Sequence, residues 1–253
     1  MKKKDINIVT ITDGTINSLE LTLKSIDDQK YKKYKNLIIS KTTLKKLHKN
    51  FKTTKRFFFY KKNSSIYEAM NYGLTKSRNK HLIFLNAGDT FASKSSLKKI
   101  SEIINSDNKF KSCLMLISVL SNNKDYFIPK KKIFFSDKFL THSSFVRPEA
   151  NKDPGFNIKN KVTADGLWME NNVKKFNIKK IYKVLTIFYL GGVSNLPSRR
   201  SLKMKKNTGI ISIIKELLKF SLLKIVGKDS FYKIIYYFKY DRVDYKKISK
   251  IYK

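Results

Sequence analysis

Residues 81–89, His81-Leu82-Ile83-Phe84-Leu85-Asn86-Ala87-Gly88-Asp89, decide the fold. The apolar run His81 to Leu85 predicts a buried strand, and Asn86-Ala87-Gly88-Asp89 predicts the turn that stops it. Just upstream, Ser65 and Glu68 stand at capping-box spacing and open a helix reaching about Lys76. A helix followed by a wholly apolar strand belongs to a parallel sheet covered on both faces.

Working outward, the same alternation continues. Residues 5–12 (DINIVTIT) predict a buried strand, and Asn17 to Glu20 repeats the capping-box spacing ahead of a helical face of Leu19, Leu23 and Ile26. Residues 36–40 predict a second strand, 43–50 a short basic helix, 57–60 a third strand and 94–106 another helix. The first ~105 residues therefore read as α/β, a Rossmann-like mixed sheet flanked by helices. Beyond them, 113–120, 125–128 and 132–135 predict strands, with Ser121-Asn122-Asn123-Lys124 as a turn. Residues 163–175 predict a helix, and 180–190 a long strand ending at Gly191-Gly192. There is no internal repeat.

The chain has 253 residues, 41% hydrophobic and 13% aromatic, enough to fill a core and to exclude general disorder. Cys113 is the single cysteine, which excludes an internal disulfide framework and a Cys-based zinc site. The formal net charge is +36, carried by 49 Lys and only six Arg. Lys, Ile, Asn, Phe and Tyr all have A/T-rich codons, so base composition accounts for some of this excess. The functional readings are attraction to anionic lipid, to a phosphorylated substrate or to nucleic acid. Readers of nucleic acid favour the bidentate fork of Arg, and the dispersed Lys argues against them.

Met1-Lys2-Lys3-Lys4 begins like a signal peptide, but Asp5, Asn7, Thr10, Thr12 and Asp13 interrupt the apolar run one would need. No stretch reaches the ~18 apolar residues of a membrane span. The expectation is a cytoplasmic protein, attached at most to a membrane surface. Residues 210–226 predict a helix with Ser212, Lys215, Glu216 and Lys219 on one face and a broad face of Ile, Leu and Phe, and 231–240 add aromatics and lysines. Packing on the domain, lying on anionic lipid and contacting another subunit are all open to such a helix.

The chemistry is carried by an ordered set of blocks. Thr10-Ile11-Thr12-Asp13 ends the first strand; Ser65-Ile66-Tyr67-Glu68-Ala69-Met70-Asn71-Tyr72-Gly73 follows about fifty residues later. Then come Phe84-Leu85-Asn86-Ala87-Gly88-Asp89, Thr141-His142-Ser143-Ser144, Val162-Thr163-Ala164-Asp165 and Gly191-Gly192-Val193-Ser194. In order and spacing, over roughly residues 5–200, this set resembles the family 2 glycosyltransferases. It is most similar to the bacterial exopolysaccharide and lipopolysaccharide branch, such as the colanic-acid enzymes. The resemblance implies a GT-A fold, a nucleotide-sugar donor, Mg²⁺ or Mn²⁺, and transfer with inversion. It assigns 1–200 to the transferase domain, with a donor half at 1–105 and an acceptor half at 106–200, and leaves 201–253 as a basic amphipathic helical tail.

Read physically, Asp89 sits on a Gly-containing turn at the C-terminal edge of a parallel sheet, where open α/β folds bind ligands. A magnesium-type cation needs one or two such carboxylates and completes its shell with substrate phosphates. The bland alternative is a turn or cap aspartate. Asp165 matches the family's catalytic aspartate, a base for the acceptor hydroxyl; alternatively it is a helix N-terminal charge. His142 would touch the diphosphate or metal, orient the acceptor, or be structural. Trp168 either stacks on a sugar or lies in the core. By the resemblance, Thr10, Thr12, Asp13, Tyr67, Glu68, Asn71, Asn86, Ala87 and Gly88 shape the donor site, with Gly73 beside them.

The chain also departs from its look-alikes. Ser40-Lys41-Thr42-Thr43 replaces an Asp-led stretch that helps hold the nucleotide, Asn63 and Ser64-Ser65 replace Asp and Gly, and Glu68 stands where Asp is common. The leading expectation is sugar transfer to a lipid-linked or polysaccharide acceptor at the inner face of the cell membrane. The alternative is a catalytically degenerate binding subunit of a glycan-assembly complex.

Overall fold

A computed structural model describes residues 6–42, 49–77, 80–106, 113–122, 124–131, 141–148, 153–159, 164–172, 175, 178–190, 196–199, 202, 209–237 and 239–244. The expected helix at 43–50, strand at 132–135 and block at 191–194 fall wholly or mostly outside them. In chain order the elements are β1 (Ile6–Thr12), α1 (Ile16–Asp27), β2 (Tyr34–Ser40), β3 (Arg56–Tyr60), α2 (Ile66–Lys76), β4 (His81–Phe84) and β5 (Thr90–Phe91). Then follow α3 (Ser96–Ser106), β6 (Leu114–Ser121), β7 (Tyr126–Pro129), a 3₁₀ turn (His142–Ser144), β8 (Phe145–Arg147), α4 (Ala164–Asn172), β9 (Lys179–Tyr189), α5 (Ile210–Tyr236) and β10 (Tyr240–Val243).

One mixed sheet joins all ten strands, in the order β10-β7-β6-β8-β4-β1-β2-β3, with β9 beside β6 and β5 beside β9. β1 lies between β2 and β4, parallel to both, and all seven of its residues are buried. That burial on both faces is why β1 shows no alternation with exposed polar residues; its polar Asn7 and Thr10 are buried and hydrogen-bonded. The α/β expectation holds. β8 is antiparallel to β4, pairing Leu82 with Arg147 and Ile83 with Val146. The residues just before β8 are thereby delivered to the C-terminal end of β4.

Local chemistry sets the helices. Ser65 Oγ accepts from Glu68 N at 3.3 Å and Glu68 Oε2 accepts from Ser65 N at 2.6 Å, the reciprocal box read from the spacing. The corresponding expectation for Asn17 and Glu20 is corrected: α1 starts earlier, with Thr15 as N-cap and no side-chain cap. Gly73 lets α2 approach the sheet, since a Cβ there would lie 2.5 Å from Val9 Cγ1. The turn after β6 is held by Asn122 Oδ1, which accepts from Lys124 N and Asp125 N.

The C-terminal helical extension is present, and it is kinked at Gly227, whose φ of 73° suits only glycine comfortably. Past the kink, Phe231 and Tyr232 are buried with Leu120, Phe127, Leu190 and Tyr240. The chain then returns as β10, antiparallel to β7, a strand the sequence did not announce. No helix among the described residues is long and apolar enough to cross a membrane.

Candidate active site

The Asn86–Asp89 turn is fixed at the C-terminal edge of the sheet by backbone and by one buried hydroxyl. Ala87 N donates to Ile11 O at 3.0 Å, tying the turn to the end of β1. Thr22, on the inner face of α1, donates from Oγ1 to Asp89 O at 2.8 Å and accepts from Gly88 N at 2.9 Å. Gly88 itself has φ of 104°, the region that favours glycine. Sequence reasoning passed over Thr22. Its signal was a polar residue on a helix face otherwise made of Leu19, Leu23 and Ile26.

The turn presents a buried Asp89 carboxylate held from two sides. His142 Nε2 donates to Oδ2 at 2.7 Å, and Tyr189 N, at the end of β9, donates to Oδ1 at 2.9 Å. Burial is the largest influence on the His142 imidazole and lowers its pKa. The hydrogen bond and charge of Asp89, with the charge of Asp165, outweigh it, and the net shift is upward. His142 thus feels both carboxylates that the sequence singled out.

Asp165 opens α4 and is met by Tyr67 from α2, whose hydroxyl donates to Oδ1 at 3.0 Å. Gly166 N donates to the same oxygen at 3.0 Å. Among the described residues Oδ2 accepts no hydrogen bond. Burial first, then the Asp165 charge and hydrogen bond, push the Tyr67 phenol upward, so it stays a donor at neutral pH.

Behind Asp165 lies a buried support that the sequence did not reveal. Arg147 from β8 meets Asp153 with Nη2–Oδ1 at 2.6 Å and Nε–Oδ2 at 2.5 Å; the second approach is a charge contact whose angle falls short of a hydrogen bond. Its guanidinium carbon lies 3.8 Å from the Trp168 ring centre and 4.2 Å from that of Phe156. Burial, opposed by Asp153, brings the guanidinium down to about 10, still charged at neutral pH. Trp168 Nε1 donates to Asp153 Oδ1 at 2.9 Å, which places this ring in the core, beneath the site.

The other predicted donor residues divide. Asn86 is buried, and among the described residues neither its side-chain nitrogen nor its oxygen has a hydrogen-bond partner. Thr12 Oγ1 accepts from Gly14 N, and Asp13 Oδ1 accepts from Thr15 N, both at 3.0 Å, shaping the loop after β1. That backbone bond to Thr15 is the main reason the Asp13 pKa is lowered, and the Lys41 charge at the end of β2 adds to it. Thr10 is fully buried and accepts from Asn36 inside the sheet. Glu68 is engaged in the helix cap. Asn71 clamps the loop after Asp153, donating to Phe156 O at 2.8 Å and accepting from Phe156 N at 2.7 Å. Ala87 packs against the main core.

Among the described residues no three His, Cys, Asp or Glu side chains gather as a metal cage. The Asp89 carboxylate and the Asn86 amide oxygen, which has no partner among the described residues, are the oxygen ligands the turn could offer a cation that takes its remaining ligands from a diphosphate. Neither a protein-family model nor a curated protein sequence matches the chain. Solved structures do. S. aureus TarS 1-349 in complex with UDP-GlcNAc is similar at a TM-score of 0.60 and 13% identity, over 89% of this chain and 68% of that one. Its complex with UDP gives 0.59 and 13%, over 85% and 65%. The mannosyltransferase PcManGT of Pyrobaculum calidifontis, in complex with GDP-Man and Mn²⁺, gives 0.56 and 8%, over 93% and 79%. The chain spans less than half, 41%, of the longer TarS structure. The fold is GT-A-like.

Proposed function

We propose that this chain is an inverting glycosyltransferase that moves a sugar from a nucleotide-sugar donor to a lipid-linked or polysaccharide acceptor. Two contacts support the reading, His142 with Asp89 after β4 and Tyr67 with Asp165 at the start of α4, and the Asp165 charge also acts on the His142 imidazole. The similar folds bound to UDP, UDP-GlcNAc or GDP-Man support it.

The donor would lie over residues 1–105, with its diphosphate toward the turn at 86–89. Asp89, with the Asn86 amide oxygen, would hold Mg²⁺ or Mn²⁺, and His142 would orient the Asp89 carboxylate. When bound, that cation supplies Lewis-acid relief of the charge that builds on the departing nucleotide. Asp165 would take the acceptor hydroxyl proton on Oδ2, while Tyr67 and Gly166 N hold the other oxygen in place. The acceptor would enter beside 140–170, and a lipid-linked one would put the reaction at the inner face of the cell membrane.

The test is a thermal-shift titration of the full chain with UDP and GDP, with and without Mn²⁺ or Mg²⁺, followed by nucleotide release from UDP- and GDP-sugars. The expected result is a metal-dependent rise in Tm that Asp89→Ala removes, and turnover that Asp165→Ala abolishes. One feature favours the degenerate-subunit alternative: Ser40, where look-alikes carry Asp, has its hydroxyl engaged with Thr42. Nucleotide binding with no turnover of any donor would decide for it.

A further inference from the structure

We infer that the outward face of the first half of α5 docks onto an anionic lipid surface, with the helix lying in the headgroup plane. The helix is inverted relative to an ordinary surface helix. Ile210, Ile211, Ile214, Leu217, Leu218 and Ile225 all face solvent, with Ile225 81%, Ile210 74% and Leu218 65% exposed. Glu216, in the same turns, is turned inward and only 5% exposed. At about 3.6 residues per turn the six apolar side chains fall within about 120° of the helix circumference, over about 22 Å of axis. A globular helix puts such a stripe against its core, and this one already uses Leu222, Leu223 and Val226 for that purpose.

Charge selects the occupant. Exposed Lys215 and Lys224 border the stripe on opposite sides, and exposed Lys228 continues past the kink. Aliphatic side chains between lysines suit an interface that is apolar below and anionic above, with the long Lys stems reaching back to the phosphates. A second copy of the chain would bring +36 against +36. The helix is not apolar enough to cross a bilayer. The helix is anchored on both sides of Gly227: Leu222, Leu223 and Val226 pack before it, and Phe231 and Tyr232 are buried with Phe127 and Tyr240 after it. None of these residues is assigned to sugar transfer, so the two readings fail separately.

The experiment is co-sedimentation of the full chain with phosphatidylcholine vesicles, with and without phosphatidylglycerol, alongside light scattering without lipid. The full chain should pellet with the anionic vesicles only. Ile214→Ser, Leu218→Ser and Ile225→Ser combined should weaken that binding about tenfold or more at an unchanged Tm. Lys215→Gln with Lys224→Gln should weaken it less and flatten its salt dependence. Equal pelleting of the triple variant, or equal binding to neutral vesicles, overturns the inference. So does a lipid-free dimer that the triple variant splits, since a second copy would then cover the stripe.

Discussion

His142 Nε2 lies 2.7 Å from Asp89 Oδ2, a contact between residues 53 apart in sequence that joins the turn before β8 to the turn after β4. Antiparallel pairing of β8 with β4 makes it possible, because it runs 142–144 back toward the end of β4. The imidazole is largely buried, and the charges of Asp89 and Asp165 favour its protonated form.

In the metal-free chain, His142 should titrate above the ordinary histidine value of about 6.5. Asp89→Asn removes the carboxylate that holds the proton and leaves burial unopposed except by Asp165, so the pKa should fall below that of the parent chain. A folded pKa above the unfolded one stabilises the protein fully below about pH 6.5, and this contribution is lost as pH rises through the folded value. NMR titration of the imidazole, in parallel with urea midpoints across pH 5 to 8, checks both statements.

Tyr67→Phe deletes one of two hydrogen bonds on Asp165 Oδ1. The carboxylate loses a donor that fixes its orientation. We expect kcat to fall about tenfold with the donor KM unchanged. A loss of donor affinity instead would assign Tyr67 to donor binding and not to the base.

Arg147→Met strands Asp153 in the core without its cation. Breaking one side of a buried pair costs about 3–5 kcal/mol. Urea unfolding should show this, and adding Asp153→Leu should recover much of it. Trp168, the single tryptophan, sits against Arg147, so its fluorescence should report the local change directly.

Gly73→Ala should destabilise by about 1–3 kcal/mol, because the new methyl meets Val9 at 2.5 Å in a closely packed layer. Val9→Ala should relieve part of that cost when combined with it. A thermal denaturation cycle of the two single variants and the double measures the coupling.

The sequence by itself determined the local elements, because those depend on nearest neighbours along the chain. Runs rich in apolar and β-branched residues marked β1 and β4, and Ser65 with Glu68 marked the start of α2. Asn86 to Asp89 marked the turn, since Gly88 alone tolerates its backbone angle without strain. Asp89 was legible as a candidate from its place at a strand end, and Asp165 from the resemblance to the family's motif. Tertiary structure alone decided which groups meet: Asp89 with His142, Tyr67 with Asp165, and Arg147 with Asp153 and Trp168. Strand order sets those pairings, and no spacing along the chain encodes it. The same holds for Thr22, Glu68 and Asn71, whose residue types fit several roles until the folded neighbours assign one. The tail shows the limit most plainly. Its composition gave an amphipathic helix, but only packing could determine that isoleucine and leucine face outward while Glu216 is buried.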